Sequence, residues 1–313
     1  MADTNSERLI DNIERVIKGK RDVIRLVVTA ALANAHVLLE DVPGTGKTML
    51  ARSLALSVEA VCKRVQFTPD LLPMDITGSM IYNPKTAEFS FKQGPIFTNI
   101  FLADEINRAT PRTQSSLLEV MEERQVSVDG AVRAVPEVFF VLATQNPIEQ
   151  HGTYPLPEAQ LDRFLFKLSM GYPDAAGEMA MLDGHERGAP IQQLAPVLSL
   201  AEFAAMQRRV MQDTRVVPEV KRYILDVVGD LRRHADLALG PSPRAAIALM
   251  RAGMAAAVVA GRDHVRPDDI KMLAPHVLAH RLALKASALI KKVQARDVVG
   301  SVLDRVPVPT MRT

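Results

Sequence analysis

The chain has 313 residues, with 38 Lys and Arg against 36 Asp and Glu, so its formal charge is only +2; that balance gives no general attraction for nucleic-acid phosphates. With 48% hydrophobic residues it can bury a sizeable core and divide into two domains, while a single cysteine, Cys62, excludes an internal disulfide and fits a reducing cytoplasm. The start, Met1-Ala2-Asp3-Thr4-Asn5, is too polar for a signal peptide, and the longest small-apolar run, 252–260, is too short to span a membrane.

Residues 6–32 repeat apolar side chains at helical spacing and are broken at Gly19, which predicts two helices. A buried strand over 37–39 then runs into Glu40-Asp41-Val42-Pro43-Gly44-Thr45-Gly46-Lys47-Thr48, and a helix follows over 48–59. Strand, glycine-bearing loop and helix start make a phosphate-binding loop, because backbone N–H groups and the positive helix end converge on one anion. The candidate binding set is Asp41, Val42, Pro43, Gly44, Thr45, Gly46, Lys47, Thr48 and Met49. Lys47 would reach the β- and γ-phosphates of a bound nucleotide, and the Thr48 hydroxyl would ligate Mg2+. The strict pattern has glycine where this chain has Asp41.

A second strand is expected over 64–68, then a loop to Gly78. Alternating runs at 80–82 and 88–91 predict a hairpin, and Asp129-Gly130 between 126–128 and 132–135 predicts another with a tight primed turn. Between them, the apolar run 100–103 ends in Asp104 and Glu105. A strand beside the loop strand would put Asp104 near Mg2+ and Glu105 where it polarises an attacking water. The strand 138–144 delivers Asn146 to a carboxyl end, where it either orients water and touches the γ-phosphate or caps the turn before Pro147. A last strand is read over 165–170, and helices alone over 200–212, 218–235, 243–260 and 267–292, the last with a break at Pro275. The fold class is therefore α/β, a parallel-sheet core over 1–188 with two hairpin insertions, followed by a small all-helical domain over 189–313 with a loose tail from 306. Gly188-Ala189-Pro190 is the candidate linker. Arg244 sits at a helix start, where the helix dipole disfavours it, and is for that reason a candidate functional residue. The seven histidines have no ligand spacing, so no zinc site is expected.

Together these pieces resemble an AAA+ ATPase of the P-loop NTPase class, and more closely the MoxR family. The carrying segments are 38–48, Val65-Gln66-Phe67-Thr68-Pro69-Asp70-Leu71-Leu72-Pro73, Leu102-Ala103-Asp104-Glu105-Ile106-Asn107-Arg108-Ala109, Ala143-Thr144-Gln145-Asn146-Pro147, 154–164 with its Asp162-Arg163-Phe164, and Ser242-Pro243-Arg244. The resemblance implies that Lys47 and Thr48 belong to Walker A, Asp104 and Glu105 to Walker B, and Asn146 to sensor 1. It also implies that Arg163 is an arginine finger for a neighbouring subunit's ATP and Arg244 is sensor 2. It further implies a homo-hexameric ring, and a protein client tied to a von Willebrand factor A domain, acted on by remodelling or by assisting metal-cofactor insertion. Two other functions compete. A helicase-like nucleic-acid motor is disfavoured by the charge balance and by the lack of a basic track interleaved with aromatics, and an ATP-gated scaffold with little turnover is disfavoured by Glu105 and Asn146.

Overall fold

The computed structural model describes residues 4–147, 152–186 and 188–310. Helices α1 (Thr4–Glu14) and α2 (Arg21–Leu32) precede β1 (Val37–Glu40), α3 (Lys47–Ser57) and β2 (Cys62–Gln66). The expected second strand therefore starts and ends earlier than 64–68. Phe67 leaves the ladder fully buried, its N–H donating to the Asp104 carbonyl at 2.8 Å. The loop that follows is not all loop: it contains α4 (Pro73–Thr77), with Pro73 in its first turn and the Leu72 N–H capped by Asp75 at 2.8 Å.

Next come the hairpin β3 (Gly78–Asn83) and β4 (Glu88–Gln93), then β5 (Ile100–Asp104), a 3-10 turn at Ile106–Arg108 and α5 (Pro111–Glu123). The second hairpin is β6 (Gln125–Val128) and β7 (Ala131–Ala134), and its turn has φ of 50° at Asp129 and 77° at Gly130, as a primed turn requires. Strand β8 (Phe140–Gln145), α6 (Glu158–Leu161), β9 (Phe166–Leu168) and α7 (Ala175–Glu186) complete this half.

The five-stranded sheet is parallel throughout, in the order β2-β5-β8-β1-β9. This corrects one expectation. The strand ending in Asp104 is not beside the loop strand; β8 lies between β1 and β5. Side chains alternate between two cores. Val37, Leu39, Ile100, Leu102, Phe140 and Leu142 face one cluster, whereas Leu38, Phe101, Ala103, Val141 and Ala143 face the other. Covering both faces is what makes these strands continuous apolar runs, and each fully buried side chain of Leu or Phe size contributes about 1.5–3 kcal/mol.

The second half holds α8 (Leu200–Gln212), α9 (Pro218–Arg232), β10 (Leu237–Leu239), α10 (Pro243–Val259), α11 (Pro267–Leu278), β11 (Ala283–Leu284), α12 (Ala286–Ile290) and α13 (Ala295–Arg305). It is not helices alone, because β10 and β11 pair antiparallel. The helix over 267–292 is not one helix, and Pro275 lies inside α11 without breaking it. The break comes at Ala279–Arg281, where Arg281 turns its guanidinium inward onto backbone carbonyls. Helix α13 buries Val298, Val299, Val302 and Leu303, and Val306 is packed rather than loose, its N–H bonded to the Val302 carbonyl at 2.9 Å. The tail beyond 310 and the segment 1–3 lie outside the described residues.

One cluster joins the two halves: α2 carries Ile24, Val27 and Val28 into the same apolar core as Phe203 of α8 and Leu249 of α10. Among the described residues no helix is long and apolar enough to cross a membrane.

Candidate active site

The loop after β1 is shaped by two glycines in the left-handed region, Gly44 at φ 86° and Gly46 at φ 89°. A side chain would strain both positions, and an added Cβ at Gly44 would meet nothing of the protein, so the backbone there is open to an approaching ligand. Gly46 precedes the first turn of α3, which brings Lys47 and Thr48 to the positive helix end. The Lys47 ammonium donates to the carbonyls of Asp41 at 2.7 Å and Val42 at 3.0 Å. Partial burial lowers its pKa from the ordinary lysine value, and the carboxylates of Asp41, Asp104 and Glu105 pull it back up.

Asp41 replaces the first glycine of the strict pattern for a structural reason. Its buried carboxylate accepts from Ser169 Oγ at 2.8 Å, Gly171 N at 3.0 Å and the Met170 amide, so it ties the loop to the end of β9.

Strand β5 delivers two acids in different backbone states. Asp104 ends the strand buried; its Oδ1 accepts from Thr144 Oγ1 at 2.6 Å, and its Oδ2 takes Arg64 Nη2 at 2.7 Å. Glu105 has φ 56° and ψ 51°, a left-handed conformation that costs roughly 1–2 kcal/mol in a residue with a side chain. Its N–H donates to Thr144 Oγ1 at 2.8 Å, so one hydroxyl on β8 braces both acids. The Glu105 Oε2 also accepts from Gln66 Nε2 at 2.5 Å and Arg108 Nη1 at 2.9 Å. Asn146 follows β8, is buried, and lines the same cavity.

That cavity is about 380 Å3 and brings together Pro43, Gly44, Gly46, Lys47, Thr48, Met49, Asp104, Glu105 and Asn146. Thr45 lines instead a second cavity of about 260 Å3 on the other side of Gly44, Gly46 and Met49, walled by Val16, Ile17, Met170, Tyr172 and Met181. A polar, helix-capped cavity beside an apolar one, sharing a glycine loop, fits a nucleotide with its phosphates in the first and its base in the second. Asp41 and Val42 line neither and contribute carbonyls to Lys47. For Mg2+ the Thr48 hydroxyl and the Asp104 carboxylate are hard oxygen donors of the right kind. Among the described residues no cluster of three His, Cys, Asp or Glu could hold a metal ion.

Arg163 and Arg244 are elsewhere. They line a separate cavity of about 310 Å3 that shares no residue with the phosphate cavity. There Arg163 Nη2 meets Glu122 Oε2 at 3.1 Å, and Arg244 Nη2 meets Glu122 Oε1 at 3.0 Å. This pairing offsets the cost of a cation in the first turn of α10.

Residues 36–166 match the ATPase family associated with various cellular activities (AAA), and residues 229–301 match the AAA lid domain. The chaperone MoxR1 of Mycobacterium tuberculosis is 40% identical over 312 residues, which cover 97% of this chain and 82% of that protein. The protein MoxR of Paracoccus denitrificans is 31% identical, over 94% of this chain and 93% of its own length. The chain belongs to the MoxR family of AAA+ ATPases. Uncharacterized protein YeaC of Bacillus subtilis is 52% identical over 98% of this chain and 95% of its own. A solved structure from Cytophaga hutchinsonii, provisionally described as an ATPase, superposes with a TM-score of 0.91 at 35% identity, covering 98% and 95% of the two chains. The architecture above is thus a P-loop core with a helical AAA lid, and the chain is an ATP hydrolase.

In this MoxR-family chain, sequence reading missed the residues that act through others. Arg64 and Gln66 belong to the expected second strand, and Gln66 also to a segment that carries the resemblance; their spacing of two puts them on one face of β2, which is the available signal for their place beside the acids. Thr144 and Arg108 stand in segments that carry the resemblance, but nothing local marks their contacts with Asp104 and Glu105, or the apolar cavity around Val16 and Tyr172.

Proposed function

We propose that this protein is a Mg2+-dependent ATPase that works as a homo-hexameric ring and changes the conformation of a protein partner, with each active site shared between two subunits. The observation that carries this reading is the separation of Arg163 and Arg244 from the phosphate cavity that holds Lys47, Thr48, Asp104, Glu105 and Asn146. Two cations that line no part of their own phosphate cavity can serve a neighbour's.

In the reaction Lys47 exchanges its two loop carbonyls for β- and γ-phosphate oxygens, and the loop N–H groups hold the chain of phosphates. Glu105, fixed by Gln66, Arg108 and Thr144, orients a water and accepts its proton; the Asn146 amide holds that water in line. Thr48 and Asp104 would hold Mg2+, which neutralises charge on the phosphate oxygens when bound. Arg163 from the adjacent subunit stabilises charge in the transition state.

The choice of a protein as partner is supported by the β3–β4 hairpin. Tyr82 and Phe89 pack with ring centroids 5.1 Å apart, tilted by 51°, across its strands while both stay at least half exposed, and Ile81 is also exposed, so an apolar aromatic tip faces outward. A partner with a von Willebrand factor A domain, and a role in metal-cofactor insertion, are part of this proposal through the family alone.

Two measurements test it. Arg163→Ala and Glu105→Gln, each inactive alone, should regain turnover when mixed in one ring, because some interfaces then join an intact Glu105 to an intact Arg163. No recovery in demonstrably mixed rings would move the arginine to its own site or make Arg108 the finger. Turnover should respond to a von Willebrand factor A protein and not to duplex or single-stranded DNA; salt-sensitive DNA binding with faster hydrolysis would favour the motor.

A further inference from the structure

Two guanidiniums from distant parts of the chain share one carboxylate. Arg163 follows α6, Arg244 opens α10, and Glu122 in the last turn of α5 gives one oxygen to each, at 3.1 and 3.0 Å. Like charges this close repel, and no other carboxylate in the cavity is at hand to hold them together. The Asp162 side chain is already committed, accepting from Arg281 Nε at 2.6 Å and from Ser242 Oγ at 3.2 Å.

Those commitments fix the backbones. Ser242 lies two residues before Arg244 and Asp162 one before Arg163, so a single carboxylate links both arginine-bearing segments. Arg281 adds bonds to the carbonyls of Asp162 at 2.9 Å and Phe164 at 2.7 Å, flanking Arg163 on both sides. What remains free is the direction of two long side chains, and Glu122 sets it. Two nitrogens on two oxygens of one planar group present the guanidiniums side by side, the arrangement that two oxygens of a terminal phosphate would meet.

We propose that Glu122 is a positioning residue, which pairs Arg163 with Arg244 so that they meet the terminal phosphate of a neighbouring subunit's nucleotide as a preset two-pronged clamp. This rests on the reading that both arginines act on the adjacent subunit. The role differs from that of a plain surface ion pair, which would contribute little to stability and nothing to turnover. It differs also from an occupant that blocks the phosphate, whose removal would speed the reaction.

The test uses the full chain with Glu122→Gln, which keeps shape and removes charge, and Glu122→Asp, which keeps charge on a shorter stem. Freed side chains must be re-ordered in each turnover, so kcat should fall roughly tenfold with KM for ATP nearly constant. Glu122→Asp should recover part of the loss, and Glu122→Gln should add no further loss in an Arg244→Ala background. An unchanged kcat with a lowered Tm would make Glu122 a structural partner only, and a raised kcat would make it an inhibitor; either overturns the proposal. The mixed-ring experiment separates the two layers. Recovery in mixed rings with an unaffected Glu122→Gln sinks this inference alone, whereas no recovery sinks the shared-site reading beneath it.

Discussion

The phosphate cavity and the arginine cavity are built by opposite means. The first is assembled at the carboxyl ends of parallel strands, where β1, β5 and β8 each end in a polar residue and the backbone itself supplies much of the ligand surface. The second has no strand-end logic. It joins the end of α5, the turn after α6 and the start of α10, and long charged side chains do all the work. Under the proposed function, the cavity of backbone and strand ends holds the nucleotide within one chain, and the converging arginines meet a neighbour's anion.

The sharpest way to break that contrast is a pair of substitutions. Arg163→Ala should cost a factor of roughly 10^3 to 10^5 in turnover, about 4–7 kcal/mol of barrier, while ATP affinity stays within a few-fold. Lys47→Ala should lose the affinity itself. If a nucleotide-binding titration showed Arg163→Ala weakening ATP as much as Lys47→Ala does, the arginine would be reaching its own nucleotide and the two regions would be one.

A smaller effect reports on the frame under the arginines. Arg281 is almost wholly buried beside Asp162, and burial lowers its pKa while Asp162 raises it again. Removing it with Arg281→Ala leaves the partly buried Asp162 carboxylate with Ser242 alone and takes away the bonds to the carbonyls of Phe164 and Leu165, and should cost about 3 kcal/mol in denaturant unfolding. A loss under about 0.5 kcal/mol would show that the lid does not rely on this pair to hold the Asp162-Arg163 turn.

Asp41→Ala probes the other side. It strands the buried amide of Met170 and the half-buried amide of Gly171, so stability should drop by about 1–3 kcal/mol, yet ATP affinity should hold within a few-fold, since the Asp41 carbonyl that bonds Lys47 remains and the carboxylate acts on that ammonium only through space. Affinity lost in proportion to stability would mean that the carboxylate shapes the phosphate site directly.

The last effect, small per pH unit, is a pH dependence. His36 is buried between the layers: the Val141 N–H donates to Nδ1 at 3.0 Å, so Nε2 carries the proton and faces the Met121 carbonyl at 3.3 Å. Burial, with Arg124 nearby, pushes its pKa down to about 3. The folded form therefore stays neutral while an unfolded histidine gains a proton near pH 6.5, so the unfolded state binds more protons in that window. Stability is unaffected above about pH 6.5 and falls as pH drops towards 3, by up to about 1.4 kcal/mol per pH unit. His36→Gln should flatten that slope in unfolding titrations between pH 7 and 5. His280, whose pKa burial also lowers, adds a limb of the same sign that this variant leaves in place. An unchanged slope would place the acid sensitivity elsewhere.

Much of the phosphate site was legible in the order of residues. Gly44-Thr45-Gly46-Lys47-Thr48 after an apolar run specifies its own geometry, because the left-handed glycines and the helix start are local events. The same holds for the turn at Asp129-Gly130 and for the acids ending β5. The strand order was not legible. Strands buried on both faces are all apolar runs, so nothing in 37–39, 100–103 or 138–144 says which is central, and β8 was not foreseen between β1 and β5. With it went the brace of Thr144 on Asp104 and Glu105, since that contact exists only across neighbouring strands. In the lid, helical spacing found α8, α9 and α10, but not where α11 ends. That point is set by Arg281 reaching Asp162, far away along the chain.

What the sequence determined by itself is therefore which groups stand at strand and helix ends: a glycine loop before a helix, a pair of acids, an amide, and two arginines marked out by motif. Their spacing is short, and propensity, glycine geometry and dipoles act over a few residues. What only the tertiary structure decided is who stands beside whom: Arg64 against Asp104, Gln66 against Glu105, an apolar cavity behind the phosphate loop, and Glu122 between Arg163 and Arg244. Those pairings join segments tens of residues apart, and they form because burying two faces of a sheet forces distant charged side chains onto the few carboxylates within reach.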